Sequence, residues 1–120
     1  MLFRSKSLFN CFQSIKNQDF SELSVVIVTP KRSLSKVEKL AQEVLQTNYQ
    51  IIEDKNEGLS GAINRAFEVH GEFDYFTWLN DDDELTPESL KRSISKLDKN
   101  QNLLSLSLSS CLSFWRFLRT

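Results

Sequence analysis

The chain has 120 residues, with 15 Lys+Arg against 16 Asp+Glu, one His and a formal net charge of −1. That length gives one domain. The charge balance argues against a generally basic nucleic-acid binder. The longest aliphatic run, Val25-Val26-Ile27-Val28, is far short of the ~20 residues of a transmembrane helix, so no transmembrane segment is expected. Cys11 and Cys111, near opposite ends, could form one disulfide in principle. They make neither a disulfide framework nor a metal-type Cys/His spacing, and they read as free thiols of a reducing, cytoplasmic compartment.

Three segments differ in character: an N-terminal arm over 1–22, an ordered middle over 23–99 and a Leu/Ser-rich tail over 100–120. The arm has Leu2, Phe3, Leu8, Phe9, Phe12 and Ile15 among polar residues, without the unbroken apolar stretch of a secretory signal. It reads as a short amphipathic helix or a frayed arm. Val25–Val28 is β-branched or aliphatic at every position, the pattern of a strand covered on both faces, and Pro30 ends it. Leu34, Val37, Leu40, Ala41, Val44 and Leu45 then recur at helical spacing. Ser35 with Glu38 reads as a capping box, and the helix should end near Thr47-Asn48.

Tyr49–Ile52 reads as the second strand, followed by a polar loop, Glu53 to Gly58. Leu59, Ala62, Ile63, Ala66 and Phe67 give a second helical stripe, with Ser60 as a cap and Gly71 as its stop. Phe73–Leu79 reads as an aromatic third strand. Thr86-Pro87-Glu88 has the form of a helix start, with a cap, a proline and an acid in the first turn. Leu90, Ile94 and Leu97 supply that helix's buried face. Strands alternating with helices predict an α/β fold, a Rossmann-like parallel sheet of three strands. The tail alternates Leu and Ser over 103–108 and then loses its period.

Ligands of open α/β sheets bind beyond the carboxyl ends of the strands. Two of the three loops there are acidic, and residues 53–88 hold eleven of the sixteen acids. In Asn80-Asp81-Asp82-Asp83-Glu84 four consecutive carboxylates repel unless solvent or a cation intervenes. Oxygen donors on a short loop suit Mn²⁺ or Mg²⁺; a solvated acidic helix-start loop is the other reading. His70, beside Gly71, reads as a favourable charge at a helix end. Arg65 reads as a solvated helix face or a phosphate contact. No P-loop, nucleophile elbow or zinc spacing is present.

Three segments together resemble the sugar-nucleotide-dependent glycosyltransferases of family 2, with the GT-A fold. They are Ser24-Val25-Val26-Ile27-Val28-Thr29, then Asn56-Glu57-Gly58-Leu59 through Ala62-Ile63-Asn64-Arg65-Ala66, then Trp78-Leu79-Asn80-Asp81-Asp82-Asp83-Glu84-Leu85-Thr86-Pro87. The likeness spans roughly Ser24 to Leu97. It implies an incomplete GT-A-type nucleotide-sugar-binding core and sugar transfer from a nucleoside-diphosphate sugar to an unidentified acceptor hydroxyl. Asp82 and Asp83 are then the implied metal contacts, with Mn²⁺ or Mg²⁺ as cofactor. Asn80 stands where the family often has the first acid of its D-x-D, and Asp81 fills the variable position. Asn56 and Asn64 match the family's N-x-G-L…A-x-N segment and join Asn80 as implied nucleotide contacts.

Departures from the family pattern temper what the resemblance implies. No Asp-Asp-Gly-Ser-like motif follows a second strand; Asp54 could substitute as a nucleoside contact. Pro30 replaces the aromatic expected after the first strand. No acid follows Asp98, so no downstream catalytic base is present and no catalytic residue is assigned. The acceptor half is missing, and the tail's change of composition suggests a truncated or frame-shifted end. The alternative to an active transferase is a non-catalytic remnant that binds nucleotide and metal weakly or serves only as an interaction module.

Overall fold

The five residues Val25–Thr29 (β1) lie parallel to Tyr49–Glu53 (β2), with Val25 opposite Tyr49 and Thr29 opposite Glu53. A computed structural model of the chain describes residues 5–18, 23–45, 49–69, 74–99, 105–107 and 113–116. The link from β1 to β2 is a short 3₁₀ turn, Lys31–Ser33, and the helix Leu34–Val44 (α2). A helix is the usual connection between parallel strands, because it spans the sheet's length and covers a face.

Side chains alternate along a strand. Val25 and Ile27 of β1, with Tyr49 and Ile51 of β2, face one core. Val37, Ala41 and Val44 of α2 fill it, and Ala41 is fully buried. The helix expected from the 34–45 periodicity therefore forms with the expected face. It starts at Leu34, so Ser35 lies inside it rather than capping it. Ser33 occupies the cap position with no side-chain hydrogen bond to the helix.

The third wall of this core is the helix Ser5–Lys16 (α1), which packs on α2. Its Leu8, Cys11 and Phe12 are buried among Val37, Ala41, Val44 and Leu45. Of the two forms expected for the N-terminal segment, the helix is the one present. Fully burying a Leu or Phe is worth roughly 1.5–3 kcal/mol, so α1 is tied down by its apolar stripe and not by local propensity alone. Cys11 is a free, buried thiol; Cys111 lies outside the described residues.

The helix Gly58–Val69 (α3) follows a loop with two left-handed residues, Asn56 at φ 58° and Gly58 at φ 79°. Gly and Asn accept that conformation at least cost, which gives the Asn56-Glu57-Gly58 sequence a backbone reason. Gly61 has a steric one: a Cβ there would collide with the Cβ of Glu57. Ser60 falls inside α3, not at its cap. α3 lies against β1, and its Phe67 meets Phe76 edge to face at 4.8 Å. Phe76 belongs to the strand Tyr75–Thr77 (β3).

Among the described residues β3 does not join β1 and β2, so the expected three-stranded parallel sheet is a two-stranded one. β3 is shorter than predicted, and its ladder is antiparallel to Ser113–Arg116 (β5), which in turn pairs antiparallel with Ser105–Ser107 (β4). Backbone N–H and C=O groups must be paired when removed from water, and the tail supplies those partners to β3 in place of β1. The fold is nonetheless mixed α/β, with a parallel β–α–β unit as an incomplete Rossmann-like core. Predicted features at Thr47-Asn48, His70, Gly71 and Phe73 lie outside the described residues.

The last helix, Ser89–Lys99 (α4), buries Leu90 and Leu97 as expected, with Ser93 between them, while Ile94 is half-buried. It begins later than Thr86-Pro87-Glu88 predicts. Glu88 adopts φ 64°, which is not helical, and holds Arg92 at 3.6 Å one turn on. Leu85, Leu90 and Leu97 form a second cluster against Ile15, Leu23, Tyr75 and Leu79. Ile15 and Leu79 also touch the first core, which joins the two.

If α1 is a wall of the core, Phe12→Ala should cost about 3–5 kcal/mol of unfolding free energy, as for other fully buried aromatics. Urea denaturation monitored by circular dichroism measures it; a change within error would mean that α1 is a dispensable arm.

Candidate functional site

The acidic loop begins where β3 runs out through Trp78 and Leu79, both half-buried. The backbone N–H of Asp83 donates to the carbonyl of Asn80 at 3.1 Å. That i to i+3 bond makes Asn80–Asp83 a tight turn with Asp81 and Asp82 as its two central residues. Asn80, Asp81 and Asp82 are exposed, Asp83 is half-buried and Glu84 is exposed. The turn thus presents two carboxylates at its tip and brings Asn80 and Asp83 together at its base.

Helix α1 holds both ends of this loop. The Cys11 thiol donates to the Asn80 carbonyl, with sulfur and oxygen 3.7 Å apart. On the far side, the Leu85 N–H donates to Ser14 Oγ at 2.9 Å, and Ser14 Oγ donates in turn to the Cys11 carbonyl at 2.7 Å. Gln18 Nε2 donates to the Thr86 carbonyl at 2.9 Å and to the Ser14 carbonyl at 3.1 Å. Gln18 Oε1 accepts from the Leu90 N–H at 3.2 Å. The first N–H groups of a helix have no partner within it, so Gln18, just past the end of α1, caps α4 from a segment distant in sequence. Thr86 contributes its carbonyl to the junction, also accepting from Ser89 N–H at 3.1 Å.

Sequence reasoning missed Ser14 and Gln18. Polar residues on an amphipathic helix give no sign of which way they face until the partner element is known. Here Gln18 is only 8% exposed and Ser14 9%. Beside them a cleft of about 240 Å³ is lined by Asn10, Gln13 and Asn17 of the α1 region and by Glu84, Leu85 and Pro87.

The other expected site residues lie on the β2–α3 connection. Asp54 continues the β1–β2 ladder, its N–H donating to the Thr29 carbonyl at 2.8 Å. Its carboxylate Oδ1 accepts from the N–H of Asn56 at 3.0 Å, a short side-chain-closed turn that leads into the left-handed Asn56. Asn56 and Asn64 are both exposed. Arg65 is half-buried rather than on a fully solvated face. Among the described residues no three or more His, Cys, Asp or Glu side chains are grouped so as to hold an ion. Asp54 therefore does not add to the Asp82–Asp83 pair.

Charge in the loop is registered by Cys11. Its thiol is pushed up from 9.0 to about 12, first by burial and then by the negative charges of Asp81, Asp83, Glu84 and Asp82. Burial and nearby anions both disfavour a thiolate, so Cys11 is a neutral hydrogen-bond donor at physiological pH and not a nucleophile.

The family model of glycosyl transferase family 2 matches residues 3–110, nearly the whole chain, and the chain belongs to that family. The match takes in α1 as well as the segment from Ser24 to Leu97 on which the resemblance rests. No curated protein matches the chain. Among the described residues, no helix is long and apolar enough to cross a membrane.

The Cys11 shift has a defined sign. The native state holds the thiol proton more tightly than the unfolded chain does, so its contribution to stability is complete below pH 9.0 and is lost as pH rises toward about 12. Over that window the wild type should lose unfolding free energy more steeply than Cys11→Ala. Parallel curves for the two proteins, from urea titrations across the window, would show that the thiol carries no such linkage.

Proposed function

We propose that this family 2 chain is the donor-binding portion of a glycosyltransferase that moves a sugar from a nucleoside-diphosphate sugar to an acceptor hydroxyl. Asp82 and Asp83 are assigned to a divalent cation, Mn²⁺ or Mg²⁺. The observation that carries the reading is the Asn80–Asp83 turn, acidic, largely exposed and fixed at both ends by α1, in a chain of this family.

The donor set fits such an ion. Asp82 and Asp83 offer carboxylate oxygens, the ligand type that Mg²⁺ and Mn²⁺ prefer. Mg²⁺ usually takes only one or two protein carboxylates and completes its shell with water and phosphate oxygens, so a pair without a third acid is suited to a metal–diphosphate complex. When bound, the cation offsets negative charge on the diphosphate leaving group. Asn80 supports the pair directly or through water. Asp54, Asn56 and Asn64 are assigned to the nucleotide, with Asp54 also shaping the loop through its bond to Asn56.

One observation favours a second reading, in which these 120 residues bind nucleotide and metal weakly or only associate with a partner and do not themselves catalyse transfer. Activation of an acceptor hydroxyl needs a base within hydrogen-bond reach. No acid follows Asp98 in the sequence, and the Asp98 carboxylate accepts a hydrogen bond from the Tyr75 hydroxyl on the exposed side of α4. The purified 120-residue protein should therefore transfer little or no sugar from a nucleotide-sugar donor. Sustained turnover in a product-release assay would establish the active-transferase reading for this chain.

Binding separates the metal site from a merely solvated loop. Calorimetry with Mn²⁺ and UDP should show weak Mn²⁺ binding alone and tighter binding with the nucleotide. Asp82→Ala and Asp83→Ala should each weaken it more than Asp81→Ala, because each removes a ligand and a unit of charge. Equal binding by the wild type and all three variants would leave the loop a solvated acidic turn.

A further inference from the structure

We infer that Gln18 and Ser14 are positioning residues for the acidic loop, setting its affinity for a metal–nucleoside diphosphate complex without touching either ligand. The inference rests on the proposed role of Asp82 and Asp83.

The four carboxylates of residues 81–84 sit between two anchored points. One is Asn80, whose carbonyl accepts from both Cys11 Sγ and Asp83 N–H. The other is Leu85, whose N–H is taken by Ser14 Oγ. Gln18 extends the second anchor through Thr86 to Leu90 in the first turn of α4. These contacts join residues 68 to 72 apart in sequence, so nothing local to the loop replaces them. Gln18 uses its amide nitrogen twice and its amide oxygen once. It is buried and occupied, which leaves it no direct part in holding a ligand.

Each of the bonds that cross to residues 80–90 ends on a backbone atom of the loop or of its flanks. Removing them leaves every carboxylate in the sequence and alters only where the backbone carries it. Loss of Gln18 returns Leu90 N–H to the unpartnered donors of α4 and deprives Thr86 of one of its donors. Partners that orient a metal ligand typically carry about 10–100-fold in metal affinity, and that is the effect expected here.

The test uses the full chain as wild type, Gln18→Met, Ser14→Ala and, as a ligand control, Asp82→Ala. Each is read by amide hydrogen exchange at Leu85 and Leu90 and by calorimetry with Mn²⁺ and UDP, at a temperature where circular dichroism reports it folded. Gln18→Met should speed exchange at Leu90 and Ser14→Ala at Leu85. Each should weaken UDP binding in Mn²⁺ by about 10–100-fold. Asp82→Ala should lose binding with both amides still protected. Wild-type affinity in either the Ser14 or the Gln18 variant once its amide has lost protection overturns the positioning role of that residue, and unchanged exchange in both variants overturns the anchor itself. A wild type that binds no UDP in Mn²⁺ overturns the metal reading instead, and the exchange rates still decide whether α1 holds the loop.

Discussion

The hydrogen bonds from α1 to the segment after β3 are the constraint on which the rest of the structure depends. Without them the acidic turn would be joined to the core only through Leu79 on one side and Leu85 on the other. A sequence of four consecutive acids resists close packing, because each carboxylate is costly to remove from water and repels its neighbours. The chain meets this by anchoring backbone atoms with a thiol, a hydroxyl and an amide. The apolar stripe of α1, through Leu8, Cys11, Phe12 and Ile15, fixes the helix against α2 and the sheet first. The polar residues next to that stripe then reach the loop from a rigid base.

That arrangement also explains why the parts of the fold differ in how firmly they are specified. The β1–α2–β2 unit has strong local signals: five β-branched residues in β1, a clean helical stripe in α2, and a sheet face whose Val25, Ile27, Tyr49 and Ile51 pack on the core. β3 is weaker. Three residues make a minimal ladder, and the Asp74 that precedes them is exposed. Its pairing with β5 satisfies its backbone groups without extending the parallel sheet. The continuity between the two halves comes from side chains, Phe67 against Phe76 and the shared contacts of Ile15 and Leu79, and not from a common ladder.

Periodicity made α2, α3, β1 and β2 legible, because one or both faces of each must be apolar for it to pack. It also exposed Asn80–Glu84 as the chemically unusual stretch. It failed where a residue's role depends on a distant partner. Ser35 and Ser60 looked like caps, yet the real start of α4 is completed by Gln18. Thr86-Pro87-Glu88 looked like a helix start, yet the left-handed backbone of Glu88 delays the helix to Ser89. The strand order was not legible either, since an apolar strand of three residues is equally suited to a parallel or an antiparallel neighbour. The pairing of β3 with Ser113–Arg116 could not be read either, because that stretch of the tail has no clear period.

The choice of neutral groups to hold the loop has an electrostatic consequence. Had α1 held it through Lys or Arg side chains, those cations would have neutralised the carboxylates they gripped, and an arriving cation would have had to displace them. Ser14, Gln18 and Cys11 instead bind carbonyl and N–H groups, so these contacts fix the turn without drawing on its carboxylates. Cys11 measures their field from inside the core: after burial, all four acids of the loop contribute to keeping its proton on. The same potential that suppresses a thiolate at Cys11 favours a cation at the turn. A fixed backbone lowers the ordering cost of binding, and these hydrogen bonds supply it. On the proposed metal reading, the α1 junction belongs to the site rather than being scaffolding beneath it.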